Sequence, residues 1–193
     1  MKKILIIKAH PRENSFCNAL ADKYIEGAIE SNNDTEVVNL KDLGLSKFLE
    51  CNYSENTALP IELLNVQKLI TWADHLVFVY PTWWATPPAL LKVFVETVFT
   101  SGFAYKYKQN THRVTWDKKL KGRSARIIAT MDAPPWYYKL FIGDPGFKMM
   151  KNGILNFCGI KPVYKNYFGS VKLSSKVQRA NWLKKIYKVG RSE

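Results

Sequence analysis

The sequence is poor in the residues that build metal centres and disulfide scaffolds. Cysteine occurs three times in 193 residues, at Cys17, Cys51 and Cys158, and histidine also three times. An odd, scattered set of thiols without CxxC spacing excludes a disulfide framework and fits the reduced cysteines of a cytoplasmic protein. Three dispersed histidines give no metal-ligand spacing, so no metal site is expected. Also missing are GxGxxG and GxxxxGK[ST], which removes the standard dinucleotide-binding fold and NTP hydrolysis. The longest apolar runs, such as Leu76–Tyr80, fall far short of the ~20 residues that span a bilayer. The apolar start Ile4-Leu5-Ile6-Ile7 is too short for a signal peptide, and no small-residue cleavage site follows it. No repeat, low-complexity segment or Pro/Gly-rich linker divides the chain, so one domain over residues 1–193 is expected.

Acidic residues are scarce in one half only. The chain carries 29 Lys+Arg against 16 Asp+Glu, a net charge of +13. Residues 1–100 hold 9 basic and 12 acidic side chains, and residues 101–193 hold 20 and 4. A basic surface attracts nucleic acid, anionic lipid or phosphorylated small molecules, and it also keeps a protein in solution. No DNA- or RNA-binding motif accompanies the charge, so no nucleic-acid partner is expected.

The apolar residues that are present, 47% of the chain with 13% aromatic, fall into alternating blocks. Ile4–Ile7, Glu36–Leu40, Leu76–Tyr80, Ala125–Thr130 and Val163–Phe168 read as five strands, the first and third apolar throughout, as in a sheet buried on both faces. Helical spacing marks 14–31 through Phe16, Leu20, Tyr24 and Ala28, with Ile25 and Ile29 alongside. Leu59, Leu63, Val66 and Ile70 mark a helix from near Pro60. A nearly all-apolar helix follows Pro87-Pro88 to about Phe99. Asp144-Pro145 reads as the N-cap and first turn of a helix to Cys158, with Gly159 as its C-cap. Ser175 and Gln178 have capping-box spacing ahead of a Lys-rich helix to about Val189. Residues 43–57 read as irregular, and the long connection 100–122 as functional or holding a small structure of its own. The expected class is α/β, with three layers and a parallel sheet of order 2-1-3-4-5 covered by helices on both faces. Ligands of such sheets bind beyond the carboxyl ends of the strands, near the switch between strands 1 and 3.

Three loops leave those strand ends. Ala9–Asn18 runs into a helix N-terminus, where free N–H groups and the helix dipole favour a phosphate. There His10 and Arg12 can add positive charge, and Ser15 either caps the helix or donates to the phosphate. Tyr80–Pro88 carries Trp83-Trp84, a wall for a flat aromatic ligand, with at least one of the two tryptophans expected to pack beneath the loop. Thr130–Tyr138 lies where it can meet the same ligand.

The block Tyr80-Pro81-Thr82-Trp83-Trp84-Ala85-Thr86-Pro87-Pro88-Ala89-Leu90-Leu91-Lys92, continuing through Val98–Tyr105, strongly resembles the flavodoxin-like NAD(P)H:quinone oxidoreductases. That group includes DT-diaphorase, the drug-activity modulators and the ancillary flavoproteins of potassium-efflux systems. His10-Pro11 and Ser15-Phe16 also match its phosphate loop. The resemblance implies a flavodoxin-like fold and a bound flavin, FAD or FMN. Hydride would pass from NAD(P)H to flavin N5, and a quinone-like acceptor would follow nicotinamide into the same site, by ping-pong kinetics. It assigns His10, Ser15, Phe16 and Asn18 to the phosphate. Pro81, Thr82, Trp83, Trp84 and Ala85 fall to the isoalloxazine, and Thr130, Met131 and Asp132 to its pyrimidine end. Tyr105 and Tyr107 would reach into the partner subunit's site of a homodimer.

The sequence also departs from the family. A Thr-Thr-Gly-Gly turn is replaced by Thr130-Met131-Asp132-Ala133, and Asp132 would oppose a reduced flavin anion unless it points away. Tyr137 or Tyr138 can match the family's relay tyrosine, but no histidine follows Tyr138. Readings that compete with the enzyme are an ancillary flavoprotein with a transient membrane-protein partner, and a one-electron carrier. Lys106, Lys108 and Arg113 are expected to draw in the phosphates of NAD(P)H, with the last helix a solvated face.

Overall fold

A computed structural model describes residues 1–45, 59–109 and 114–193. Cys51, Arg113 and most of 43–57 lie outside the described residues. Strand β1 (Lys3–Lys8) is followed by α1 (Phe16–Glu30), β2 (Asp34–Asn39), α2 (Ile61–Trp72), β3 (His75–Pro81) and α3 (Ala89–Val98). A short antiparallel hairpin follows, β4 (Tyr105–Tyr107) and β5 (Trp116–Lys118), then β6 (Ser124–Thr130) and a six-residue helix α4 (Pro135–Leu140). Next, α5 (Pro145–Lys148), a π-helical stretch Met149–Leu155 and α6 (Asn156–Cys158) run on to β7 (Val163–Phe168) and α7 (Lys176–Arg191).

The five long strands form one parallel sheet in the order β2-β1-β3-β6-β7. This is the 2-1-3-4-5 arrangement, with β6 and β7 as its fourth and fifth strands. Every residue of β3 is buried, as its unbroken apolar run requires of a central strand covered on both faces. On one face Leu5, Ile7, Leu76 and Phe78 pack with Leu63, Val66 and Ile70 of α2 and Leu91, Phe94 and Val98 of α3. On the other, Ile4, Ile6, Val77 and Val79 pack with Leu20, Tyr24 and Ala28 of α1 and Ile186 of α7. Cys158 is buried in the first of these cores, and Gly159 closes its helix at φ +100°.

Two local expectations change, and the long connection holds the small structure expected of it. Pro60 stands just outside α2 as its cap residue rather than in the first turn. Asp144 precedes α5 but makes no side-chain cap; its carboxylate is taken by Lys165 and Tyr167. The connection 100–122 holds the β4–β5 hairpin, stapled to the body by Trp116, whose indole N–H donates to Phe157 O at 2.9 Å and whose ring stacks on Phe157. Ser175 does cap α7, accepting from Gln178 N–H. Lys184, Lys185 and Lys188 of that helix are exposed.

Helices α1 and α7 cross at glycine. A Cβ on Gly190 would lie 2.1 Å from Tyr24 O, and one on Gly27 would lie 2.1 Å from Tyr187 O. Gly190→Ala is therefore expected to cost about 1–3 kcal/mol in chemical denaturation by overpacking. Gly153→Ala, where a Cβ meets nothing within 4 Å, should leave the midpoint nearly unchanged.

At the opposite end of the sheet from the three loops, His75 is fully buried with Nδ1 2.7 Å from Ser124 Oγ. Beside it, Arg126 Nε donates to Glu193 at 2.5 Å. Burial, aided by Arg126 and Lys2 and opposed by Glu193, pushes the His75 pKa down to about 4. The unfolded chain takes up a proton near pH 6.5 that the fold refuses. The stability involved is whole above about pH 6.5 and is lost as pH falls toward about 4. Denaturation free energies of wild type should fall more steeply across that window than those of His75→Asn; parallel curves would contradict this.

Candidate active site

The strands end level with one another, and the loops beyond them meet. Ala9 N–H donates to Val79 O at 2.8 Å, Thr82 N–H to Thr130 O at 2.7 Å, and Met131 N–H to Phe168 O at 2.9 Å. Between the three loops lies an open cleft of about 250 Å³. The loop after β1 contributes His10, Arg12, Asn14, Ser15, Phe16 and Cys17 to its wall. Pro81, Thr82 and Trp83 come from the second loop, and Thr130, Met131 and Asp132 from the third. Val171, from the turn after β7, completes it.

The first loop is built as an anion cradle. Ser15 caps α1, its Oγ accepting the N–H of Asn18 at 3.2 Å. Asn18 does not line the cleft. Its amide nitrogen donates to Arg12 O and Glu13 O and so folds the loop. Phe16 and Cys17, whose first-turn N–H groups a helix leaves without intrahelical partners, line the cleft. Glu13, the loop's one carboxylate, is paired with Lys41 beyond β2, which offsets a charge that would repel an anion. His10 is buried and its Nδ1 accepts Arg12 N–H at 3.0 Å. Burial first, and then the Arg12 charge, holds its pKa below the usual value. His10 thus supplies a neutral Nε2–H donor, not the positive charge expected; Arg12 supplies that charge.

The second loop is a tight turn. Trp83 N–H donates to Thr86 O at 2.9 Å and Thr86 N–H to Trp83 O at 3.0 Å, leaving Trp84 and Ala85 as the two turn residues at φ +51° and +63°. Trp83 is 43% exposed and edge-on to His10, and Trp84 is 100% exposed. Neither tryptophan is packed beneath the loop, contrary to expectation. Trp84 and Ala85 stand outside the cleft, above its rim.

In the third loop, Thr130 is buried with Oγ1 3.0 Å from Cys17 Sγ, tying the first loop to the third. Burial pushes the Cys17 thiol up to about 11, away from the thiolate range. Without the family's glycines the turn is held by Met131, which is buried, and by Asp132, which accepts Lys172 N–H at 3.1 Å. That hydrogen bond satisfies part of the carboxylate that would otherwise face a reduced ligand. Tyr138 is buried, its hydroxyl donating to Ala85 O at 2.7 Å and accepting Gly146 N–H at 3.0 Å. That hydroxyl is thus engaged by backbone groups on both sides. Tyr137 is part-exposed and stacks on Phe141 at 5.3 Å, beside Trp136. Tyr105 and Tyr107 sit on the β4–β5 hairpin, edge-to-face with each other and, for Tyr105, with Phe157. They do not line this chain's own cleft. Lys108 is 3.5 Å from Asp117 across the hairpin. Arg12, Asn14, Cys17 and Val171 complete the wall beyond the residues assigned by resemblance; only Val171 had no local signal, lying far along the chain. Among the described residues, no three His, Cys, Asp or Glu side chains are grouped to hold a metal.

The flavodoxin-like fold family matches residues 2–188. An uncharacterised NAD(P)H oxidoreductase of Haemophilus influenzae is 30% identical, covering 88% of this chain and 84% of that protein. The chain belongs to the flavodoxin-like NAD(P)H:quinone oxidoreductase family. An FMN-dependent NADH:quinone oxidoreductase of Halalkalibacterium halodurans is 27% identical over 92% of each chain. The guinea-pig NAD(P)H dehydrogenase [quinone] 1 is 28% identical over 83% of this chain, but this chain spans only 66% of its length. The crystal structure of Smu.1420 from Streptococcus mutans superposes with a TM-score of 0.85 at 31% identity, over 99% of this chain and 100% of that one.

Ser15→Ala should remove the α1 cap and cost about 1 kcal/mol of stability, whereas Ser15→Gly should cost only a few tenths. Chemical denaturation of the three proteins checks this; equal loss in both variants would mean that Ser15 acts otherwise than as a cap.

Proposed function

We propose that the protein is a flavin-dependent NAD(P)H oxidoreductase that passes two electrons to quinones or similar acceptors. The observation that carries this reading is the convergence, in one cleft, of a capped helix N-terminus carrying Arg12 and His10 with the Trp83 and Thr130 loops. The phosphate of FMN, or the diphosphate of FAD, meets Ser15, the first-turn N–H groups of α1 and the Arg12 charge, a site that suits an anion by dipole, donors and charge alike. Pro81-Thr82-Trp83 and Thr130-Met131-Asp132 would hold its ring between them. A bound flavin would take hydride at N5 from NAD(P)H and, once nicotinamide has left, give it to an acceptor in the same place.

The chain's own residues supply position and electrostatics. The Cys17–Thr130 contact fixes the cleft floor, and the Thr82–Thr130 hydrogen bond fixes its width. At about 250 Å³ the cleft is small for a whole flavin, since ligand pockets usually measure ≈300–1,000 Å³. The remaining cover comes from outside it. Trp84 stands free above the rim, and Trp136, Leu140 and Phe141 around α4 are 60%, 76% and 69% exposed. A second copy presenting its Tyr105–Tyr107 hairpin to these aromatics would close the site, which supports a homodimer with shared sites. Lys106 on that hairpin then lies near the incoming NAD(P)H phosphates. A cytoplasmic location fits the NAD(P)H donor and the unpaired thiols of Cys17 and Cys158. Among the described residues no helix is long and apolar enough to cross a membrane.

The test is to release the bound cofactor by heat, identify it by mass, and measure NADH and NADPH oxidation with a quinone before and after flavin is restored. Yellow protein, one flavin per subunit and flavin-dependent turnover are expected. Protein that neither contains nor binds flavin would sink the reading. Flavin without turnover would favour the ancillary role.

A further inference from the structure

The Trp83–Thr86 turn has a geometry its sequence does not favour. A two-residue turn with both central residues at positive φ is normally made by Asn-Gly or Asp-Gly. Here Trp84 and Ala85 adopt it at φ +51° and +63°, a region that side chains with a Cβ disfavour. Packing does not explain the choice, because Trp84 is wholly exposed. What holds the turn comes from below. The buried Tyr138 hydroxyl donates to Ala85 O at 2.7 Å, and Gly146 N–H donates to the same hydroxyl at 3.0 Å.

The approach admits no side chain. A Cβ on Gly146 would lie 2.8 Å from the Tyr138 hydroxyl and 3.2 Å from Ala85 O. Gly146 is placed in turn by Asp144, itself at φ +59°. Asp144 N–H donates to Tyr138 O at 3.2 Å, and its carboxylate is held by Lys165 and Tyr167. Three residues in an unfavourable backbone region, on two separate loops, are thus tied through one phenol.

We propose that Tyr138 is a positioning residue, a strut whose hydroxyl holds the Trp84-Ala85 turn in its left-handed form and so sets the tryptophan rim of the cleft. It acts through the turn and gives no proton to the ligand. The proposal deepens the flavin reading for the same site, but its first test needs no flavin.

Tyr138→Phe removes one hydroxyl and keeps the ring. Thr86 N–H, which closes the turn onto Trp83 O, reports the turn's integrity by amide hydrogen exchange in the flavin-free protein. Exchange at Thr86 should rise at least tenfold in Tyr138→Phe and return most of the way in Tyr138→Phe/Ala85→Gly, because glycine adopts positive φ without penalty. Tyr137→Phe should leave it unchanged. Unchanged exchange in Tyr138→Phe, or no recovery with Ala85→Gly, would overturn the proposal whatever the cofactor proves to be. If flavin binds, its affinity should fall and recover in the same order, with the pH profile of turnover unmoved. Loss of kcat at constant flavin affinity, with a displaced pH profile and no rescue by Ala85→Gly, would make Tyr138 a proton donor and refute the strut.

Discussion

The structure depends on the parallel pairing of β1 with β3. The two strands run side by side from Ile4 against His75 to Lys8 against Val79, although more than sixty residues of chain separate them. Both are buried, so their backbone groups must satisfy each other; no water reaches them to substitute. That ladder places the end of β1 beside the end of β3, and β3 pairs on with β6 as far as Pro81 against Thr130. The loops that follow leave at one height and converge without further instruction. The adjacent α1 then turns its amino end, with its unpaired N–H groups and positive dipole end, into the same space.

The fold was legible because those constraints also shape the sequence. A strand buried on both faces has no polar side to show, so Ile4–Ile7 and Leu76–Tyr80 appear as unbroken apolar runs. The β4–β5 hairpin left no such mark. Its strands, Tyr-Lys-Tyr and Trp-Asp-Lys, are three residues each, too short for alternation to register, and Trp116 is anchored by Phe157, forty-one residues away. The six-residue α4 is likewise set by its surroundings, opening on the second of two prolines that signal a turn as readily as a helix start.

The site was legible as chemistry and less so as geometry. Loop positions together with the family resemblance assigned His10, Ser15, Phe16, Pro81, Thr82, Trp83, Thr130, Met131 and Asp132 to one place, and all of them line the cleft. Asn18 was assigned to the phosphate by resemblance, and the loop-folding contacts of its amide nitrogen with Arg12 and Glu13 leave no mark in the sequence. The charge on His10 depends on burial, which a local sequence does not carry. Trp84 and Ala85 lack the Asn-Gly signature of their turn, so its left-handed form appears only once Tyr138 is seen beneath it. The +13 charge belongs to residues 101–193, where it includes the hairpin's Lys106 and the exposed Lys184, Lys185 and Lys188 of α7.

In the proposed function the amino end of α1, with Ser15 and Arg12, would cradle the phosphate of a flavin whose ring the Trp83 and Thr130 loops would hold. The most direct test compares FMN with riboflavin, which has the same ring and lacks only the phosphate. Titrating the flavin-free protein with each, followed by quenching of flavin fluorescence, should show FMN binding at least a hundredfold more tightly, with the advantage shrinking in Arg12→Ala. Equal affinities for the two would contradict the account.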